Sequence, residues 1–148
     1  MERKEFEETV KNYFKSKGFE KKGVRYFLNS NDFLCEIYVQ KSYYGDVFYL
    51  NYVFYLGKFE KPYVIDRGGV ATRTPDMGYR FYFTENDGYS CQYLNYSKEQ
   101  LIEILNENFD LRILPPFKEG KKYLLKHFGV LYGSPFPEDK IKQLLLEN

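Results

Sequence analysis

Hydrophobic and polar positions alternate most regularly over residues 32–57, DFLCEIYVQKSYYGDVFYLNYVFYLG. Phe33, Cys35, Ile37 and Val39 fall on one face of a strand, and Leu34, Glu36, Tyr38 and Gln40 fall on the other. Beyond a turn at residues 42–46, Phe48, Leu50, Tyr52, Phe54 and Leu56 share one face of a return strand. Val47, Tyr49, Asn51, Val53 and Tyr55 take the opposite face, because side chains of a strand alternate with a period of two. One face of this hairpin is strongly apolar, and the other mixes apolar bodies with polar tips. That pattern belongs to an antiparallel sheet covered on one side.

On either side of the hairpin the period changes. Over residues 2–17, Phe6, Val10, Tyr13 and Phe14 recur at helical spacing, and Gly18 supplies a left-handed stop against which Phe19 folds back. A lead-in strand follows at residues 24–28, and Asn29, Ser30, Asn31 and Asp32 turn it into the central pair. Residues 57–80, with two prolines and four glycines, break the pattern and are too long for a hairpin turn. Strand character resumes at residues 80–84 and 89–94 around Asp87-Gly88, which predicts a second hairpin. Ser97 and Gln100 then match a capping box, ahead of a helix whose apolar face is Leu101, Ile104, Leu105 and Phe109. Pro115-Pro116 open a second helix to about residue 128, closed by Gly129. Residues 134–137 open a third, with Ile141, Leu144 and Leu145 as its buried stripe. The expectation is a single α+β domain over residues 1–148: an N-terminal helix, an antiparallel sheet of about five strands, and C-terminal helices packed on one face.

Composition supports the sheet, since 16 Tyr and 14 Phe with no Trp favour half-buried pleated surfaces. Lys plus Arg (22) nearly cancel Asp plus Glu (21), so no global polyanion-binding field is expected. Cys35 and Cys91 both sit in apolar runs and read as small buried hydrophobes. The charged, helical opening MERKEFEETV is unlike a signal peptide, and no apolar run reaches the length of a membrane span. A cytoplasmic protein without a disulfide is therefore expected. The single histidine, His127, stands in the last turn of a predicted helix, where a cation complements the helix dipole. One histidine and two strand cysteines give no zinc spacing, so neither metal nor cofactor is expected.

Candidate chemistry is sparse. Asp66, Asp76 and Glu85, with Arg73 as electrostatic stabiliser, would form an enzyme site only if they converged across a cleft. Solvated turn acids are the plainer reading. Asp66-Arg67-Gly68-Gly69 resembles an anion-holding nest but lacks a following phosphate-loop lysine and serine, so a turn is favoured. The basic run from Lys15 to Arg25, interleaved with Phe19, could take single-stranded nucleic acid. Charges beside a helix end are ordinarily solvated. Arg67, Arg73 and Arg80 lie near the tyrosine-bearing sheet residues in sequence and suit interface anchoring or capture of an acidic ligand.

Gly18-Phe19 before Lys21-Lys22-Gly23 and Tyr26-Phe27, then Val39-Gln40-Lys41-Ser42 with Phe48, Leu50 and Asn51, resemble the opening of a mainly bacterial domain family, DUF4304. The resemblance covers about residues 1–57 and the rest by general layout; the chain departs from it in having no Trp. It implies a fold, with no established activity, cofactor or catalytic residue. The resulting expectation is a non-catalytic binding module of the bacterial cytosol, an immunity-type protein-binding module being one concrete form. A protein is the expected partner, with nucleic acid and membrane set aside. Tyr38, Tyr49, Asn51, Tyr55, Arg67, Arg73 and Arg80 are its candidate surface.

Overall fold

A computed structural model of the chain describes residues 1–63, 65–66, 69–70 and 74–147. Helix α1 (Arg3–Ser16) comes first, with Phe6, Val10, Tyr13 and Phe14 buried as their spacing predicts. It stops at Gly18, whose φ of 92° suits a residue without Cβ. The Phe19 amide donates back to the Phe14 carbonyl at 3.0 Å, and the two rings meet at 5.3 Å. Strands β1 (Glu20–Lys22), β2 (Arg25–Asn29), β3 (Phe33–Lys41) and β4 (Phe48–Leu56) follow as an antiparallel meander. A small separate pair, β5 (Ile65–Asp66) with β6 (Gly69–Val70), precedes β7 (Met77–Arg80). The main sheet runs β1-β2-β3-β4-β7. Opposite Phe33 in the β3–β4 register stands Leu56, and opposite Lys41 stands Phe48, so the two strands of the central hairpin pair along their whole length.

Two differences from the predicted strands have local causes. The sheet gains β1, because Gly23 turns the chain so that Glu20 pairs with Phe27. Residues 80–84 and 89–94 do not form a second hairpin of strands. Beyond Arg80 the backbone of Tyr82 is occupied by a side chain: its amide donates to Asn108 Oδ1 at 2.9 Å, and its carbonyl accepts from Asn108 Nδ2 at 2.8 Å. An asparagine from a helix thus takes the place of a neighbouring strand. The Asp87-Gly88 turn itself is present, with the Phe83 amide donating to the Gly88 carbonyl at 2.8 Å.

The helices cover the apolar face. Helix α2 (Lys98–Asn108) passes through a π-helical turn (Phe109–Ile113) into α3 (Leu114–Glu119). The predicted second helix is then interrupted at Gly120, at φ 82°, before α4 (Lys121–Lys126). Helix α5 (Glu138–Leu146) closes the chain, with Ile141 and Leu145 buried. Between these helices and the sheet lies one core containing Phe14, Ile37, Leu50, Tyr52, Leu105 and Tyr132. Cys35 and Cys91 belong to it as free thiols. Burial raises both, the Cys91 thiol to about 12, so neither is a thiolate at neutral pH. Among the described residues no helix is long and apolar enough to cross a membrane.

The capping box forms as predicted: Ser97 Oγ accepts from the Gln100 amide at 3.2 Å, and Gln100 Oε1 accepts from the Ser97 amide at 2.9 Å. Ser97→Ala is expected to cost about 1 kcal/mol, read as a lower urea midpoint at unchanged slope. An unshifted midpoint would show that the cap adds nothing to α2.

Candidate functional site

The outer face of the sheet, away from the helices, is divided in two. At one end Phe27, Leu34 and Tyr55 form a second apolar cluster with Tyr63, and Phe59 packs against it. The chain after β4 therefore folds over this end. Tyr55, expected as a surface residue, is instead fully buried there, and its hydroxyl donates to Glu36 Oε1 at 3.3 Å. Alternation had placed it on the right face, but the segment over it removes it from solvent.

The other end is open and polar. Arg25 lies over the Tyr38 ring at 4.3 Å, and Arg80 lies over the Tyr49 ring at 4.1 Å. Asn51 stands between these stacks: its Nδ2 donates to the Tyr38 carbonyl and to Gln40 Oε1, each at 3.2 Å, and its Oδ1 accepts from Arg80 Nε at 3.0 Å. Cross-strand pairing dictates the order, since Arg25 is opposite Tyr38, Tyr38 opposite Asn51, and Asn51 opposite Arg80. Four of the seven predicted site residues, Tyr38, Tyr49, Asn51 and Arg80, are therefore one constellation. Arg67 and Arg73 lie outside the described residues.

The two arginines have different electrostatic settings. Arg25 is spent on Glu36, with Nη1 to Oε2 at 2.6 Å. Burial pushes the Glu36 carboxyl up, while Arg25 and the Tyr55 hydroxyl pull it down. A raised carboxyl in a cleft is a pattern met in acid–base catalysis. Here both oxygens are occupied, and no second carboxylate, histidine or cysteine lines the same cleft among the described residues. Arg80 has no ion pair among the described residues. Its plane is fixed by Tyr49 below and Asn51 at Nε, which leaves the Nη edge as a preset fork for a planar anion.

Two open cavities meet on this face across Asn51, Val53 and Pro75. The smaller, of about 290 Å³, lies between Arg25, Glu36, Tyr38 and Gln40. The larger, of about 670 Å³, extends past β7, where Arg80, Tyr79 and Tyr89 face Gly133, Ser134 and Pro135. The last three residues, held against β7 by paired bonds between Gly78 and Gly133 at 2.8 and 2.9 Å, had no signal in the sequence. Tyr79, Tyr82 and Tyr89 did have one: tyrosines left over once Phe81 and Phe83 are assigned to the core.

The remaining candidates do not converge. Asp76 is buried just before β7, where it accepts from the Leu56 amide at 2.7 Å, and Glu85 is exposed in the 84–88 turn. Neither lines the cavities above. The side chain of Asp66 and the nest residues Arg67 and Gly68 lie outside what is described. The basic run is divided rather than continuous: Phe19 is buried, Lys17 lies over Tyr13 and Phe109, and Arg25 turns to Glu36. His127 caps α4 with its ring 4.2 Å from that of Tyr123. Among the described residues no cluster of His, Cys, Asp and Glu has the makings of a metal site.

The family model of a domain of unknown function, DUF4304, matches residues 10–119. The chain belongs to that family. The match takes in α1 from Val10, the whole sheet and the helices through α3, so the DUF4304 likeness reaches well beyond the central hairpin. Comparison with curated proteins and with solved structures gives no match.

Proposed function

We propose that this DUF4304 chain is a non-catalytic binding module of the bacterial cytosol, and that the open end of its outer sheet face receives an acidic protein partner. An immunity-type module, which neutralises its partner by covering it, is one form of this reading. The observation that carries it is the Arg80 guanidinium, stacked on Tyr49, pinned by Asn51 and paired with no carboxylate among the described residues. Stacked arginine and tyrosine side chains lose little freedom on binding and are the residue types that dominate interfaces. Enzymatic use of Asp76 and Glu85, or nucleic-acid binding through Lys15 to Arg25, has no arrangement among the described residues in its favour.

A photo-crosslinking residue at position 49 in producing cells should capture the partner. With that partner purified, Arg80→Ala combined with Tyr49→Ala should weaken its affinity at least tenfold, about 1.4 kcal/mol or more. A partner whose affinity ignores the double substitution does not use this face.

A further inference from the structure

We infer that the larger cavity beside β7 is a binding site for a small aromatic carboxylate. The inference deepens the reading above, since Arg80 and Asn51 belong to both, but it concerns a free small molecule rather than a protein. Three features select the ligand class.

The first is charge. Among the described residues lining the cavity, Arg80 is the one ionised group and there is no carboxylate. A second uncompensated cation lies behind the strand. Arg112, in the π-helical turn, is 8% exposed, has no ion pair among the described residues, and leaves its Nε without a hydrogen-bond partner. Its Nη1 donates to the Tyr52 hydroxyl at 2.9 Å, and Tyr52 is the cross-strand neighbour of Tyr79 in the cavity wall. Both cations favour an anion, and a single reachable fork favours a monoanion.

The second feature is the aromatic wall. Tyr79 is 49% exposed and meets Tyr89, 39% exposed, edge to face at 4.8 Å; Tyr82 meets Tyr89 in the same way at 5.4 Å. Pro75 and Pro135 add apolar surface. A planar ring fits such a wall, because edge-to-face and offset contacts between rings are favourable beyond the area they bury. The third is size. About 670 Å³ lies within the range of small-molecule sites and holds one or two fused rings with a carboxylate. The carboxylate would take the Arg80 fork, with the Ser134 hydroxyl nearby, and the ring would lie against Tyr79 and Tyr89.

The test is titration of the purified chain with 2-naphthoate, followed by its fluorescence and by calorimetry. Saturable binding is expected, with neutral 2-naphthamide at least tenfold weaker, because it lacks the charge-assisted bonds. Arg80→Gln should weaken 2-naphthoate by about tenfold, and Tyr89→Ala by roughly threefold to tenfold. Inorganic phosphate should not compete, since it offers no ring. No saturable binding below about 10 mM, equal binding of the amide, or indifference to both substitutions overturns the inference.

Two variants separate this outcome from that of the protein-partner reading. Tyr89→Ala touches the cavity wall and none of the Arg–Tyr stacks, so it should lower naphthoate binding while leaving partner affinity unchanged. Tyr38→Ala lies outside the larger cavity and should do the reverse.

Discussion

Gly78→Ala is expected to destabilise the protein by about 3 kcal/mol, at the upper end of what overpacking costs. At this chain length that lowers the melting temperature by roughly 6–12 °C. A Cβ at position 78 would stand 2.1 Å from the Tyr52 carbonyl oxygen and 2.8 Å from the Val53 Cα, both backbone atoms of β4 that cannot swing aside. Nor can Gly78 retreat, because its amide and carbonyl are bonded on the other side to Gly133. The strand is gripped from both edges, and only glycine fits between them. Gly133→Ala is the matched control: its Cβ would meet the Gly78 carbonyl oxygen at 3.7 Å, an ordinary contact, so the cost should stay below about 1 kcal/mol. Thermal and urea unfolding of the two variants side by side decides the matter. Equal, small losses in both would mean that β7 approaches β4 less closely than described. Since β7 carries Tyr79 and Arg80, a displaced strand should also weaken the proposed binding of 2-naphthoate, which separates this substitution from a purely distant loss of stability.

The uneven legibility of the fold has a physical pattern. Where one contact rule governs, the sequence suffices. Alternation over Phe33 to Leu56 placed every hairpin residue of the core beneath the helices, because burying one face strongly penalises a one-residue slip. Gly18 and Ser97 likewise act on their own neighbours, so the helix boundaries they set were readable. Failures occurred where a group from outside the strand pattern took over a position within it. Tyr82 alternates properly with Phe81 and Phe83, yet Asn108, 26 residues away, takes its backbone bonds. Tyr55 alternates properly too, but Phe59 and Tyr63 cover it. The candidate site shows the same division. Tyr38, Tyr49, Asn51 and Arg80 come together through strand register, and that juxtaposition was legible from alternation. The larger cavity needs residues 133–135 from beyond α4 to stand against β7, and that is a tertiary fact with no local signature.

Arg25→Met should produce the second large effect, and one that depends on pH. The substitution keeps most of the apolar stem and removes the cation beside Glu36, a carboxyl that is 2% exposed. A buried charge deprived of its partner costs about 3 kcal/mol, limited by the option of taking up a proton. The direction with pH follows from linkage. Glu36 in the folded protein already sits above its ordinary value of 4.5, because burial outweighs Arg25 and Tyr55. A folded-state value above the unfolded one means that, between the two, the folded form holds more protons. Stability from this group is therefore complete below about 4.5 and is lost as pH rises through the folded value, beyond which it is flat. Removing Arg25 takes away the downward pull and carries the upper end of that window towards neutrality. Hence the loss relative to the parent chain should be small near pH 5 and full near pH 7, measured as urea midpoints at each pH. Adding Glu36→Gln to Arg25→Met should recover most of the stability at pH 7 and abolish the difference between the two pH values, since the amide carries no charge and can still accept from the Tyr55 hydroxyl. The same loss at pH 5 and pH 7, unrelieved by Glu36→Gln, would mean that Arg25 stabilises the sheet through its contact with Tyr38 and not through the buried carboxylate.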